Sequence, residues 1–573
     1  MPTVAEMIVE ALVQVGVKRV YGVAGDSLNS IVDALRRHEG ITWVQVRHEE
    51  VGAFAAAAEA QLTGQLSVCA GSCGPGNLHL INGLYDAHRS MAPVLAIAAQ
   101  IPSSEIGTNY FQETHPERLF ADCSHFCEFL STPRQMPRLL QIAMHTALSK
   151  RGVSVLVVPG DVAMEEVPED KSRHDFAHMR PRVRPSEHDL DELAGLLNES
   201  KKVTFLCGSG CATAHDQVMN LANLLQAPIV HALRGKEHVE HDNPNDVGMT
   251  GFIGSPSGYR AIEGCDLLLM LGTDFPYQAF YPKKARIIQI DVRAENLGRR
   301  SRLDLGLVGD VNETLLALMP KIEPKADSSF LQESLDDYAT TRKDWDSHAK
   351  GLAGQTPIHP EYLAALINEL AADNAVFTCD TGMSTVWAAR YLRMTRDRRL
   401  LGSFNHGSMA NAMPHAMGAQ FAQPGRQVVA LCGDGGFSML MGDILTIRQY
   451  ELPIKLIIFN NSCLGMVKLE MQVAGLPNSG TDFKPDVNYA RIAEAAGILG
   501  VRVEDPAGLP GAIKQVMEHR GPALLDVVTN PYELIKPPDL KLSQAWGFSL
   551  FMLKETVLGN ASNVTELIES NLR

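Results

Sequence analysis

The sequence predicts an α/β protein built from three doubly wound parallel-sheet domains and a C-terminal helical tail. Short apolar runs typical of buried strands alternate with segments of helical spacing along most of the chain. Glycine-rich turns follow several of these runs, as they do where a strand of a parallel sheet leads into a helix. At 573 residues the chain is also too long for one hydrophobic core. We place the domains at 1–182, 183–334 and 335–530, and the tail at 531–573.

The composition excludes some classes of partner. A net charge of −15 argues against nucleic-acid binding, which requires a basic face. No apolar run reaches the ~18 residues of a membrane-spanning helix, and the N-terminus lacks the basic region of a signal peptide. The ten cysteines indicate small buried thiols in a reducing cytoplasm. A zinc site is the weaker alternative, suggested by three closely spaced pairs: Cys69/Cys73, Cys123/Cys127 and Cys207/Cys211.

In the first domain, a carboxylate follows a predicted strand. The strand at 42–46 leads to Glu49, and an alanine-rich helix is predicted at 51–62. A carboxylate in the first turn of a helix interacts favourably with the helix dipole, so this position alone is compatible with a purely structural role. The next predicted strand, at 66–70, runs into a glycine-rich turn at 71–77.

The middle domain carries a weak nucleotide-binding signal. After its first strand comes Gly208-Ser-Gly210, which lacks the third glycine of a dinucleotide-binding turn. Its last strand ends in Asp291, a position suited to a ribose hydroxyl and also to a simple strand-end turn. Residues 321–357 are charged and predict a linker with a surface helix. The strands are predicted at 202–207, 228–231, 267–271 and 286–291.

The third domain contains the stretch that most clearly predicts a metal- and diphosphate-binding site. A predicted strand at 427–432 runs into Gly433–Gly436, a helix is predicted at 437–450, and the next strand leads to Asn461. The two strand ends then meet at one edge of a parallel sheet, where ligands bind. The Asp434 carboxylate and the Asn461 amide oxygen are hard ligands suited to Mg²⁺. The glycines allow backbone N–H groups to approach a diphosphate.

This arrangement resembles the signature of thiamine diphosphate enzymes. The resemblance implies that Asp434, Asn461 and the carbonyl of Cys463 bind Mg²⁺. Glu49 and the turn at 71–77 resemble the half of the site that binds the aminopyrimidine ring of the cofactor, where the glutamate meets a ring nitrogen. In this family the two halves come from different subunits, so the resemblance implies at least a dimer.

The resemblance also assigns the residues that would contact thiamine diphosphate. Met409 matches a bulky apolar side chain that wedges between the two rings, although a methionine of the core would have the same sequence context. The segment after Cys463 would add apolar walls that exclude water. Besides Glu49, Asp434 and Asn461, the assigned residues are Gly407, Ser408, Met409, Gly435, Gly436, Leu464, Gly465, Met466 and Val467.

Segments of the middle domain resemble the FAD-binding segments of the flavin-dependent branch of the same family. The guanidinium of Arg234 would pair with the diphosphate of the flavin cofactor. Together with Arg234, the residues assigned to FAD are Thr250, Gly251, Phe252, Ile253, Thr273, Asp274, Phe275, Pro276, Tyr277 and Asp291.

Three long strings, at 71–84, 231–240 and 403–413, resemble the bacterial quinone-dependent pyruvate dehydrogenases, also called pyruvate oxidases. The resemblance implies a cytoplasmic homotetramer with thiamine diphosphate, Mg²⁺ and FAD, bound peripherally to the cytoplasmic face of the inner membrane. It implies conversion of pyruvate to acetate and CO₂, with electrons passing through FAD to ubiquinone. Phe111 and Gln112 would be catalytic residues that line the pocket above the thiazolium.

Three alternatives remain on this fold. An acetolactate synthase would use the same cofactors but a second 2-keto acid, with FAD outside the redox path. A phosphate-dependent, oxygen-using pyruvate oxidase would form acetyl phosphate. The third alternative is a catalytically silent, membrane-associated scaffold, and the presence of Glu49, Asp434 and Asn461 argues against it because a binding module has no need of all three.

The tail predicts one more amphipathic helix. Four apolar residues there share a helical face: Val564, Leu567, Ile568 and Leu572. This face either packs on the body of the protein or binds a lipid surface, and the resemblance implies the membrane contact. The opposite face carries Glu566 and Glu569, whereas helices that lie on membranes are typically basic.

Overall fold

The computed structural model describes residues 1–168, 182–484, 486–533, 535, 550–552 and 554. They form three parallel six-stranded sheets with flanking helices, which confirms the predicted fold class. The predicted terminal helix, which ends at Arg573, lies outside the described residues, and the domain boundaries stay a prediction. No helix within the described ranges is long and apolar enough to cross a membrane.

The first sheet contains the strands β1 (Arg19–Gly22), β2 (Thr42–Gln45), β3 (Ser67–Gly71), β4 (Val94–Gln100), β5 (Phe126–Phe129) and β6 (Val153–Pro159). Its helices are α1 (Val4–Gln14), α2 (Asn29–Arg37), α3 (Glu49–Thr63), α4 (Pro75–Arg89), α5 (Pro116–Leu119) and α6 (Met136–Lys150). The strand order is β2-β1-β3-β4-β6-β5. The chain goes from β1 to β2 and then returns to β3 on the other side, which opens a crevice at the carboxyl ends of β1 and β3. Helix α3 begins at Glu49, earlier than predicted, because the His48 side chain accepts a hydrogen bond from Glu50 N and caps the helix.

The second sheet contains β7 (Val203–Cys207), β8 (Ile229–His231), β9 (Asp246–Met249), β10 (Leu267–Leu271), β11 (Arg286–Asp291) and β12 (Leu305–Val308). Its helices are α7 (Glu187–Glu199), α8 (His215–Leu225), α9 (Lys236–Val239), α10 (Pro256–Glu263) and α11 (Val311–Leu318). The strand order is β12-β11-β10-β7-β8-β9, so the direction of winding reverses between β7 and β10. The surface helix predicted within 321–357 is α12 (Ser329–Gly351).

The third sheet contains β13 (Val376–Cys379), β14 (Arg399–Gly402), β15 (Val428–Gly433), β16 (Lys455–Asn460), β17 (Leu499–Val503) and β18 (Ala523–Val528), in the order β14-β13-β15-β16-β18-β17. Its helices are α13 (Pro360–Leu370), α14 (Met383–Tyr391), α15 (Ala412–Ala422), α16 (Asp434–Leu440), α17 (Ile444–Gln449), α18 (Gly465–Val473), α19 (Tyr489–Ala495) and α20 (Leu509–Glu518). The single helix predicted at 437–450 is two short helices. Between them, the Asp443 carboxylate accepts hydrogen bonds from Arg47 N at 2.9 Å and from the Thr446 hydroxyl at 2.7 Å, and this contact with the first domain replaces a regular helical turn.

The first and third domains pack through α3 and α15. The two backbones approach so closely that a Cβ on Gly418 would lie 2.0 Å from the carbonyl oxygen of Ala55. Next to this crossing, Asp86 Oδ2 lies 3.0 Å from His415 Nε2, and both side chains are fully buried. Small residues along α3 therefore allow the contact, and a buried polar pair fixes its register.

The ten cysteines are free thiols, and nine of them are buried. None lies in a cluster of potential metal ligands within the described part of the chain. This placement favours the interpretation as buried thiols over a zinc site.

Candidate active site

The carboxyl edge of the third sheet forms a cleft with about 1120 Å³ of empty space, part of it open to solvent. Segments that follow five adjacent strands line it, since parallel strands bring all their carboxyl ends to one edge. Those segments contribute Asp380 after β13, Met409 after β14, Asp434 after β15, Asn461 after β16 and Glu533 after β18.

The three predicted metal ligands lie together in this cleft. Asp434 is 3% exposed, and burial raises the pKa of its carboxyl to about 7. Asn461 Oδ1 accepts a hydrogen bond from Cys463 N at 3.2 Å, and the Cys463 carbonyl accepts one from Gly465 N at 3.0 Å. No salt bridge to Asp434 occurs among the described residues. A buried carboxylate without a positive partner, flanked by an amide oxygen and a carbonyl, fits a divalent cation.

Glycines border the empty part of the cleft. A Cβ built on Gly382, Gly407 or Gly433 would meet no atom within 4 Å, so the backbone is open to a ligand at these three positions. The predicted contacts Gly435 and Gly436 also line the cleft, and they pack closely against neighbouring residues. A Cβ on Gly435 would lie 2.8 Å from the Leu464 side chain, and one on Gly436 would lie 2.4 Å from Asp380 Oδ2. The space beside the first three glycines fits a diphosphate group.

Asp380 is a residue of the cleft that the sequence did not single out. Its Oδ1 accepts a hydrogen bond from Ala412 N at 2.9 Å, and its Oδ2 accepts one from Gly433 N at 3.2 Å. Burial raises the pKa of the Asp380 carboxyl to about 6. One carboxylate therefore joins the glycine turn that precedes Asp434 to the segment that follows Met409.

The other predicted thiamine contacts lie at or beside the cleft. Gly407, Met409 and the four residues Leu464, Gly465, Met466 and Val467 line it. Ser408 lies outside the lining and contacts the first domain, where Asn82 Nδ2 donates a hydrogen bond to its hydroxyl at 2.9 Å. The same Asn82 amide also donates to Glu50 Oε1 at 2.7 Å.

The predicted catalytic residues of the first domain gather at the carboxyl edge of the first sheet. Glu49 is 7% exposed, and its Oε2 lies 2.9 Å from His79 Nδ1 on α4. A Cβ on Gly76 would lie 3.0 Å from Glu49 Oε1, and a Cβ on Gly74 would lie 2.9 Å from Gln112 Cβ. The backbone of the glycine-rich turn therefore lies directly between Glu49 and Gln112.

Gln112 and Phe111 have unusual environments for their residue types. Gln112 has a φ of +63°, a backbone conformation that costs energy outside glycine and that recurs at functional sites. The Cys73 thiol donates a hydrogen bond to Gln112 Oε1 at 3.4 Å. Phe111 is 77% exposed, although a ring of this size gains most from burial.

The described residues that line the cleft all belong to the second half of the chain, and Glu49, Phe111 and Gln112 are not among them. The structure thus brings the predicted metal ligands together and the predicted catalytic residues together, but on separate sheet edges of one chain. This separation agrees with the expectation that a second subunit completes each site. The two-subunit site itself stays a prediction.

The residues assigned to FAD follow four strands of the second sheet, two on each side of β7. Thr250–Ile253 follows β9, Thr273–Tyr277 follows β10, Asp291 ends β11, and Arg234 follows β8. The two loops touch each other, because the rings of Phe252 and Tyr277 lie 4.7 Å apart. All the assigned residues therefore meet at one carboxyl edge, as dinucleotide cofactors require.

Three features of this edge fit a large polar and aromatic ligand. Thr250 is 2% exposed, and its Oγ1 has no hydrogen-bond partner in the described structure. Phe252 and Tyr277 are 48% and 44% exposed. Asp291 is buried, which raises the pKa of its carboxyl. Two assigned residues are engaged elsewhere, because Asp274 pairs with Arg299 and Arg300 and Arg234 donates a hydrogen bond to Ser90 O at 2.8 Å.

Comparison with known proteins identifies three family models along the chain. They are the N-terminal TPP binding domain, the central domain and the C-terminal TPP binding domain of thiamine pyrophosphate enzymes, over residues 2–119, 190–318 and 380–527. A putative thiamine pyrophosphate-containing protein of Bacillus subtilis, YdaP, is 38% identical over 554 residues, which are 96% of this chain and 96% of that protein. The pyruvate oxidase of Lactiplantibacillus plantarum is 30% identical over 94% of this chain and 90% of its own. The chloroplastic acetolactate synthase of Arabidopsis thaliana is 30% identical over 93% of this chain and 82% of its own.

Proposed function

The chain belongs to the thiamine pyrophosphate enzyme family, and on this basis we propose that it oxidatively decarboxylates pyruvate to acetate and CO₂ and passes the electrons through FAD to ubiquinone at a membrane surface. The similarity to a pyruvate oxidase over 94% of the chain supports the substrate. The orphaned Thr250 hydroxyl and the exposed rings at the edge of the second sheet support the flavin.

The observation that carries a flavin-linked reaction is the contact between the two proposed cofactor edges. The loop at 250–253 reaches α14, where Arg390 Nε donates a hydrogen bond to Ile253 O at 3.1 Å. Trp387 lies one turn earlier on α14 and lines the thiamine cleft. The edge assigned to FAD and the cleft assigned to thiamine diphosphate therefore flank one helix, so electrons would cross a short distance.

The residues of the chain have distinct roles in this reaction. Bound thiamine diphosphate would supply the carbon nucleophile and the electron sink for decarboxylation, and bound FAD would supply a two-electron acceptor. Asp434, Asn461 and the Cys463 carbonyl would hold Mg²⁺. Glu49 would share a proton with a nitrogen of the pyrimidine ring, and His79, whose Nδ1 lies 2.9 Å from Glu49 Oε2, would orient the carboxylate.

Phe111 and Gln112 would form the substrate pocket above the reacting atoms. The Gln112 amide oxygen already accepts a hydrogen bond from Cys73, which leaves its NH₂ group to donate to the carboxylate of pyruvate. The exposed ring of Phe111 would cover the substrate and exclude water until decarboxylation is complete. Both roles require the first domain of one subunit to face the cleft of another, so we propose at least a dimer, and a tetramer as its extension.

An anaerobic reaction tests the proposal. The purified protein is mixed with thiamine diphosphate, Mg²⁺, FAD and pyruvate without oxygen, and the visible absorbance of the flavin is followed. We expect the absorbance to fall and to return on addition of a ubiquinone analogue, with acetate as the product. Pyruvate consumption with an oxidised flavin would contradict the proposed electron path.

A second candidate is an acetolactate synthase, which the 30% identity to the Arabidopsis enzyme over 93% of the chain supports. In that case pyruvate is consumed, acetolactate forms and the flavin keeps its absorbance. A reaction that requires inorganic phosphate and oxygen would instead indicate a pyruvate oxidase that forms acetyl phosphate.

The membrane contact, and with it a cytoplasmic location on the inner membrane, is part of the same proposal. It rests on the amphipathic sequence pattern of the tail, in which Ile568 falls near the centre of the predicted apolar face and Ser570 on the opposite side. We expect Ile568→Glu to abolish flotation with phospholipid vesicles and to leave turnover with a soluble electron acceptor unchanged. The matched variant Ser570→Glu adds the same charge to the polar face and should still float. Equal flotation of both variants would refute binding through this face.

A further inference from the structure

A second cluster of potential metal ligands lies where α12 and α13 meet the segment after β18. Glu361 is in the first turn of α13, His348 is in the last turn of α12, and Glu533 follows the last strand of the third sheet. Each residue offers a ligand atom, and these atoms lie within 4.8 Å of one another. None of the three was singled out by the sequence, because they come from segments far apart in the chain.

The two carboxylates of this cluster are buried side by side. Glu361 is 4% exposed, and the Glu533 side chain is 6% exposed. Burial and the neighbouring Glu533 raise the pKa of Glu361 well above its usual range. Two ionised carboxylates at this separation repel each other strongly in an environment of low dielectric constant, unless positive charge lies between them.

The hydrogen bonds of the two carboxylates are unequal. Glu533 Oε2 lies 2.7 Å from His359 Nδ1 and accepts a hydrogen bond from Asn530 Nδ2 at 3.0 Å. These contacts fix the orientation of Glu533. By contrast, Glu361 Oε2 is buried and has no hydrogen-bond partner in the described structure. An orphaned carboxylate oxygen inside a group of ligand atoms is the position that a bound cation would satisfy.

We propose that Glu361, Glu533 and His348 bind a divalent transition-metal cation of the Zn²⁺ class. Two carboxylates would neutralise the charge of the ion, and with one imidazole they would supply three protein ligands and leave a position for water. His348 is exposed, which gives the ion a path from solvent. The site is separate from the Mg²⁺ site at Asp434 and does not depend on the proposed reaction.

The bound cation would tie the end of the third domain to its first helix. Glu533 belongs to the cluster and also lines the thiamine cleft, as does Asn530, whose amide donates a hydrogen bond to Glu533. An ion between Glu533 and α13 would hold this wall of the cleft in place.

Zinc binding to the full-length chain tests the site. The protein is saturated with thiamine diphosphate, Mg²⁺ and FAD and dialysed to equilibrium against Zn²⁺, and bound metal is measured by plasma emission. We expect Glu361→Gln and His348→Asn each to bind one zinc fewer per chain than the wild type, or to bind it at least ~100-fold more weakly. Glu369→Gln, on the exposed side of the same helix, and His519→Asn, on the surface, are the matched controls and should bind as the wild type does.

Thermal unfolding gives a second readout. Zn²⁺ should raise the unfolding midpoint of the wild type and of both controls, and should leave that of Glu361→Gln unchanged. Without zinc, Glu361→Gln should unfold at a midpoint no lower than the wild type, because the substitution removes a repulsion. A wild type that binds no zinc, as expected if Glu361 and Glu533 share a proton instead, overturns the proposal. Equal zinc binding by Glu361→Gln and the wild type overturns it as well.

Discussion

Replacing Asp380 by asparagine tests how the thiamine cleft is held open. The carboxylate accepts one backbone hydrogen bond on each oxygen, from Ala412 N and from Gly433 N. Asparagine has the same shape but only one acceptor, so one of the two N–H groups would face an NH₂ group. A hydrogen bond to a charged acceptor contributes about 1.5–3 kcal/mol. The glycine turn before Asp434 would lose this support on one side.

The expected effect on cofactor binding follows from that loss. If binding must restore the turn, about 2 kcal/mol of binding free energy is lost, which corresponds to a roughly 30-fold weaker affinity. Calorimetric titration of thiamine diphosphate with Mg²⁺ measures it. Asp373→Asn is the matched control, since Asp373 is exposed just before the same strand, and its affinity should equal that of the wild type. Unchanged affinity in Asp380→Asn would refute the role of Asp380 in supporting the turn.

The pH dependence of stability gives an independent check on the same variant. The pKa of Asp380 rises from 3.8 to about 6 on folding. Between these values the folded chain binds more protons than the unfolded chain, so stability falls as pH rises through this window. Two pKa units correspond to about 3 kcal/mol. This contribution is absent in Asp380→Asn. In urea unfolding, the free energy of unfolding of the variant should therefore rise by up to about 3 kcal/mol relative to that of the wild type between pH ~4 and pH ~7. A constant difference between the two proteins would contradict the burial argument.

Three further substitutions test other parts of the structure. Glu49→Gln should lower turnover about 10²- to 10⁴-fold with unchanged unfolding midpoint and cofactor affinity, and near-normal turnover would remove Glu49 from the mechanism. Asp86→Ala should lower the free energy of unfolding by about 1–3 kcal/mol in urea, because it leaves the buried His415 imidazole without its hydrogen-bond partner. Asp33→Ala on the surface should leave the free energy of unfolding nearly unchanged. Gly418→Ala should destabilise the chain by about 1–3 kcal/mol or more, because its Cβ would overlap the Ala55 carbonyl. The matched Gly195→Ala in α7, where a Cβ meets no atom within 4 Å, should stabilise it by about 0.5–1 kcal/mol.

The sequence was most informative where strands are buried on both faces. The strands at 267–271 and 286–291 were predicted with their observed bounds, because fully covered parallel strands are continuous apolar runs. Asp434, at the end of such a strand, could be assigned to a ligand-binding edge from topology. Glu49 follows the partly exposed strand β2, and its assignment came from the family resemblance. Edge strands such as β5 and β12 were not predicted, since solvent covers part of each and their apolar stretches are short and interrupted by Glu128 and Gly306.

The site residues that the sequence missed depend on partners distant in the chain. Asp380 looks like any acidic strand end until Ala412 N and Gly433 N are seen to meet its carboxylate. His79 is one polar residue on a helix, and only the fold places it beside Glu49. Glycine positions were predictable, but their use was not. Gly435 and Gly436 line the cleft as predicted and also pack against the chain itself, and Gly382, which was not assigned, borders the open part of the cleft.

The separation of Glu49 from the Asp434 cleft of its own chain has a genetic consequence in the proposed dimer. A chain with a defective Glu49 still carries an intact metal-binding half, and a chain with a defective Asp434 still carries an intact pyrimidine-binding half. A mixed dimer of the two would combine both lesions in one site and leave its other site wild type. Two alleles that are each inactive alone would then complement each other in one cell, and the restored activity would report on the exchange of subunits.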